Sequence, residues 1–204
     1  MAGSDVKAVF ITADTNAVDA ASVAAAARPN TAFTIDGTDT DGGGATFAAG
    51  RIITCTTTGT GDNGKTVTLT GTDVNGDSQT EVITLTGSAT AHAGSKYFKT
   101  ITAASASAQP AANVSIGMAA GSADVIFAGR SRLKGAYIVN SGTAGTLDFL
   151  TTSPTGTSVM KLGTVASATV TRDVHIPEEG VLFTDGVYVQ YTVATFTTIT
   201  AFHA

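Results

Sequence analysis

Tryptophan is absent from this chain, cysteine occurs once, and proline only 4 times in 204 residues. A lone Cys55 excludes an internal disulfide framework. Its place in the β-branched run Arg51–Thr56 marks it as a small buried hydrophobe. Charge is scarce too: Asp, Glu, Lys and Arg make up 13% of the chain, about half the usual share near 25%. The net charge is −5 and no extended basic footprint is present, so nucleic acid is not an expected partner, because counterion release needs clustered cations. No apolar run reaches the ~18 residues of a membrane-spanning helix, so no membrane partner is expected. The start, Met1 to Lys7, lacks the charged segment and apolar core of a secretory signal. Together these absences predict a soluble protein made in a reducing cytoplasm.

What remains is Thr, Ala, Gly and Val. Hydrophobic residues reach 43% and glycine 23 positions, enough for a core inside rigid sheets with polar, uncharged surfaces. Such a surface is poorly protected against association, so burial against partners, including other copies of the chain, is expected. The organising stretch is Arg51 to Phe98. Arg51–Thr56 is β-branched and extended, Thr66–Thr70 alternates with period two, and Glu81–Thr86 is extended again. Asn63-Gly64 and Asn75-Gly76 punctuate it at about the 12-residue spacing of turns in all-β domains. Val67 and Leu69 share one face and threonines the other. The stretch reads as an antiparallel meander with type I′ turns at the Asn-Gly pairs.

Elsewhere Val6–Ile11 reads as a first strand. The Ala-rich segment 16–28 suits a short helix capped by Asp14 or Asn16, or a flexible, partner-bound arm. Thr31–Ile35, Ser95–Ile101 and Asn113–Met118 read as strands, with a small, flexible stretch at 103–112. After a loop-like passage at 119–122, seven or so short strands follow in about 75 residues, the pattern of a small β-sandwich. The expected architecture is all-β: two antiparallel β-sandwich or barrel-like domains in tandem with an N-terminal arm. The expected boundaries are 1–30 for the strand or arm, 31–125 for the first β domain and 130–204 for the second.

No constellation in the sequence does chemistry. Gly59-Thr60-Gly61-Asp62-Asn63-Gly64-Lys65-Thr66 matches the phosphate-binding pattern G-x-x-x-x-G-K-[ST]. That loop works through the N-terminus of a following helix, and here an alternating strand follows instead. In the loop Asp36–Gly44 the carboxylates of Asp36, Asp39 and Asp41 suggest calcium. However, Gly37 breaks the D-x-D-x-D-G phase and no glutamate closes the twelfth position, which favours a solvated glycine loop. His92, His175 and His203 lack companion ligands at close spacing, and Glu178-Glu179 read as solvated turn residues. No catalytic, cofactor-binding or metal residues are therefore expected, and no enzyme. The one candidate partner contact is Arg130, Arg132 and Lys134, which alternate along an extended segment and would present three cations to an acidic partner.

The run Thr66–Asp77, with Glu81–Leu85 and Gly94–Ile101, resembles a module of tailed-bacteriophage virion proteins. Gly135–Leu147 and Gly180–Val189 resemble a second such module. The resemblance implies a virion structural protein, most like the capsid decoration or cement proteins that clamp neighbouring subunits of the major capsid protein. It implies a place on the capsid surface after assembly in the host cytoplasm. A tail, fibre or head–tail adaptor component is the alternative; a receptor-contacting role there would want exposed aromatics, of which Tyr188 is the evident candidate. The matched motifs mark strands and turns, so no functional residue carries over.

Overall fold

The computed structural model describes all residues except 1–5, 13–18, 119–122, 167–169 and 192–195. Among the described residues there is no helix, and every strand pairing is antiparallel. The all-β architecture read from the sequence is the one observed. The chain divides into two compact units, one formed by residues 18–120 and the other by 1–17 together with 121–204.

Strand β1 (Lys7–Thr12) belongs to the second unit. The 18–120 unit holds β2 (Asp19–Ala27), β3 (Thr40–Asp41), β4 (Gly44–Thr57), β5 (Thr66–Thr72), β6 (Ser78–Thr84), β7 (Ala91–Ala106) and β8 (Val114–Met118). Its strands run in the order β2-β8-β4-β7-β5-β6, with the short β3 on β4. This corrects the simple meander. β4 and β5 are neighbours in sequence, yet the 16-residue β7 lies between them, pairing with β4 through residues 91–101 and with β5 through residues 100–106. Between the pairs Thr46↔Thr100 and Arg51↔Phe98, β4 advances five residues while β7 advances two, a large bulge that bends the long strands. Lys99 Nζ donates to the Ala48 carbonyl within this bulge (2.7 Å). The curled sheet closes on one core that includes Val23, Phe47, Ile53, Leu69, Phe98 and Ile116.

The β5–β6 connection is a true hairpin, but not the two-residue type I′ turn expected. Thr72 pairs with Ser78, so five residues form the loop. The Asp73 carboxylate accepts the amides of Asn75 and Asp77, and Gly76 takes the left-handed conformation (φ 88°) that closes it.

The helix read into 16–28 is overturned where it can be checked: Asp19–Ala27 is β2, while Asp14 and Asn16 lie outside the described residues. Alanine favours helices only when packing is indifferent. Here Ser22, Val23 and Ala24 are fully buried against β8, and the small side chains allow close approach. A Cβ added to Gly117 on β8 would stand 1.9 Å from the Asp19 carbonyl oxygen. Thr31–Ile35 is no named strand: it forms a bridge, Ala32↔Ser105, with the bonds from Phe33 N to Ala104 O and from Ala106 N to Thr31 O. Of the 103–112 stretch, read as flexible, residues 103–106 are the end of β7 and pair with β5.

The second unit adds β9 (Ala123–Phe127), β10 (Ser131–Asn140), β11 (Gly145–Thr151), β12 (Thr157–Thr164), β13 (Thr171–His175), β14 (Val181–Phe183), β15 (Val187–Tyr191) and β16 (Phe196–His203). One sheet runs β1-β16-β10-β13, with β14 also on β10; the other runs β12-β11-β15-β9. The two face each other as a sandwich: Tyr191 of β15 meets Phe196 of β16 edge-on at 4.8 Å, and Phe127 of β9 meets His203 of β16 at 5.2 Å. Alternation sets the inner faces, with Val187, Val189 and Tyr191 buried on one sheet and Ile199, Ala201, Ala136 and Ile138 on the other. Strand β9 straddles position 125, where the first domain was expected to end. Residues 1–30, read as a separate arm, are divided between the units, because β1 completes the sandwich on β16 and β2 covers β8.

Candidate functional site

The literal phosphate-loop match is the first place to look for a site. It forms the connection from β4 to β5, and β5 begins at Thr66, so a strand stands where the phosphate-binding helix would be. Asp62 is the centre of this loop. Its side chain is fully buried, accepting from Lys65 Nζ (2.9 Å) and the Ala111 amide (2.5 Å) on Oδ1, and from the Thr57 hydroxyl (3.2 Å) and the Ala112 amide (3.3 Å) on Oδ2. Burial alone would raise the Asp62 carboxyl, but the Ala111 amide, the Lys65 ammonium and the Ala112 amide outweigh it and hold the group below its ordinary value. Lys65 thus anchors its own loop.

The other candidates are engaged in the same way. Asp36 accepts the Ala25 amide (2.9 Å), and Asp19 accepts the Thr38 hydroxyl (2.7 Å), so the Asp36–Asp41 loop is stitched to β2. Asp39 is half-buried; burial raises its carboxyl, the Ser22 hydroxyl opposes that, nearby Asp19 adds to it, and the buried Arg51 offsets part. No group of three or more His, Cys, Asp or Glu side chains is arranged to hold a metal among the described residues. Glu81 turns inward from β6, and its Oε1 accepts the Ser95 amide (2.5 Å), the Ser95 hydroxyl (2.9 Å) and the Lys96 amide (3.1 Å).

Cys55 is completely buried, and burial followed by the nearby Glu81 carboxylate pushes its thiol up to about 12. Only roughly 1 in 10,000 molecules would carry the thiolate at pH 8. The folded protein is therefore expected to resist thiol reagents, reacting at the free-cysteine rate only when denatured. A colorimetric thiol assay with and without denaturant checks this.

Of the cationic trio, Arg130 precedes β10 and is exposed. Arg132 and Lys134 lie on the same side of β10 but turn toward the 178–180 turn. Lys134 Nζ donates to the Glu178 carbonyl (3.1 Å), and Arg132 donates to the carbonyls of Glu179 and Gly180 while lying 3.7 Å from the Glu179 carboxylate. Glu178 holds a left-handed φ of 57° in that turn. Beside it runs a shallow groove of about 610 Å³ on the outer face of the five-stranded sheet, lined by Val6, Lys134, Asp173, His175, Glu178 and Phe202 among others. One register row across this face reads Phe10, Thr200, Tyr137, Asp173, and Phe10 and Tyr137 are exposed. Sequence reasoning missed this row, because β1, β16 and β10 are far apart in the chain. Tyr188 is half-buried, with its hydroxyl raised by burial and by Asp185.

His203 sits at the end of the sandwich, opposite Lys7 on β1 and Leu133 on β10, with its ring on Phe127. Burial and then the Lys7 charge lower its imidazole from the ordinary 6.5. The fold therefore favours the neutral ring. As pH falls below about 6.5 the unfolded chain takes up a proton first, so this stabilisation is full above that pH and declines below it. Thermal melts between pH 7.5 and 5 should show the decline, and His203→Gln should flatten it.

What these residues define is an all-β protein whose reactive side chains hold loops and turns in place. Compared with known protein families, curated proteins and solved structures, the chain matches none.

Proposed function

We propose that this chain is a structural protein of a tailed-bacteriophage virion, a capsid decoration protein that binds the outer shell and steadies neighbouring major capsid subunits. The observation that carries the reading is the use of its polar groups. Asp62, Glu81, Arg132 and Lys134 each bond to backbone and Lys65 pairs with the Asp62 carboxylate, and the surface left to partners is sheet with few charges. The likeness of 66–77, 81–85 and 94–101, and of 135–147 and 180–189, to virion modules supports the same reading. Two antiparallel units present broad, rigid faces, and rigid faces bind without an ordering cost. Identical copies bridging identical subunits gain effective concentration, so individually weak contacts suffice. The partners are the major capsid protein and other copies of the chain, met on the capsid surface after assembly in the host cytoplasm.

The purified chain, mixed with empty shells of the virion it belongs to, is expected to co-sediment with them at physiological salt and to raise their resistance to heat. Sedimentation with isolated tails and not with shells would contradict the proposal and favour a tail or adaptor role.

A further inference from the structure

We propose that β1 is a self-pairing edge: two copies of the chain join β1 to β1 antiparallel about a two-fold axis, continuing the five-stranded sheet of one into that of the other. The inference rests on strand geometry and holds whether or not the chain sits on a shell.

The sheet edges of this protein are treated unequally. An open edge invites pairing, and folded proteins blunt it with charge, short length or cover. Strand β6 carries the inward-turned Glu81, which is 8% exposed. Strand β12 carries Lys161, ion-paired to Asp148 at 2.8 Å. Strand β13 is five residues long with Arg172 and Asp173 in it, and β14 is three. The outer side of β2 is covered by the amides of Gly37 and Asp39, which bond to Val23 and Ser22. Strand β1 is less protected. It pairs only with β16 among the described residues and runs in even register; its one charge, Lys7, stands at its first position, and Ala8-Val9-Phe10-Ile11 carries no charge, proline or bulge. Its outward residues are apolar and exposed, Val6 at 49% and Phe10 at 53%.

The occupant follows from the strand itself. A two-fold axis normal to a sheet places residues of equal parity opposite one another, on the same face. Centred on Val9, the axis sets Lys7 opposite Ile11 and Ala8 opposite Phe10. Each Phe10 ring then covers the small Ala8 of the other copy and lies diagonally across from its Phe10, within reach of an aromatic side chain. The one cation, Lys7, meets an isoleucine and not its own counterpart, so no like charges oppose. Strand β1 is complementary to itself in both size and charge.

The test uses the full chain. Sedimentation equilibrium is expected to show a concentration-dependent dimer, and Phe10→Glu to return a monomer with unchanged circular dichroism and melting, since that side chain faces out. Register is read by cross-linking. Ala8→Cys and Phe10→Cys proteins, mixed and treated with a mild thiol oxidant, should give a covalent heterodimer, while each alone gives far less. Cys55 does not interfere, being buried. A chain that stays monomeric up to about 1 mM, the weak end of specific association, would overturn the proposal. So would a dimer whose mass Phe10→Glu leaves unchanged, or a mixed pair that does not cross-link.

Discussion

Asp62→Ala is expected to lower the unfolding free energy of the 18–120 unit by about 3 kcal/mol, the scale of breaking a buried charge pair by removing one partner. The carboxylate joins two loops that are distant in sequence. Thr57 ends β4 and Lys65 lies on the β4–β5 connection, while Ala111 and Ala112 lie on the β7–β8 connection. Truncation leaves the two amides without an acceptor, and each such orphan costs about 1–3 kcal/mol, while the Thr57 hydroxyl keeps the Gly59 carbonyl at 3.2 Å. Asp62→Asn keeps one acceptor and loses the charge, so it should fall between the two. The pH dependence has a definite sign. The folded carboxyl lies below its ordinary value, so its contribution is full above the unfolded pKa near 3.9 and is lost as pH falls through the folded value. Denaturant titrations at pH 7 and pH 3 should show a wild-type advantage over Asp62→Ala at neutrality that shrinks in acid.

Deleting residues 1–30 is expected to abolish cooperative folding. If this segment were a detachable arm, the sheets would survive its loss. The structure makes β2 a cover for β8, with Val23 and Ala24 fully buried and Val114, Ile116 and Met118 beneath. Losing Val23 and uncovering even two of those residues forfeits about 1.5–3 kcal/mol for each, together of the order of the whole net stability of a domain, about 5–15 kcal/mol. The same deletion removes β1 and the buried Ile11 from the sandwich. A calorimetric scan of the shortened chain should show no sharp transition. A transition near the full-length temperature would mean that β1 and β2 contribute little.

The contrast with the sequence reading has a physical cause. Strands β5, β11 and β15 were legible, because each alternates apolar and polar residues with the period of a half-buried strand. Strand β2 was not, because Ser22, Val23 and Ala24 are buried consecutively and carry no period, leaving alanine's helix preference as the only local signal. The insertion of β7 between β4 and β5 was hidden as well, since nothing within a strand names its neighbour. The role of Asp62 depends on Ala111 and Ala112, about fifty positions away. Its lone carboxylate inside Gly61-Asp62-Asn63-Gly64 looked like any turn aspartate. The cations Arg132 and Lys134 were placed on one side of β10 as alternation requires, but the carbonyls that occupy them come from a turn more than forty residues on.

The proposed decoration role requires a place on the capsid surface. Gold-labelled antibody to the purified protein, applied to intact virions and viewed by electron microscopy, should decorate the heads in a regular, repeated pattern. Label confined to tails, or particles left bare, would contradict it.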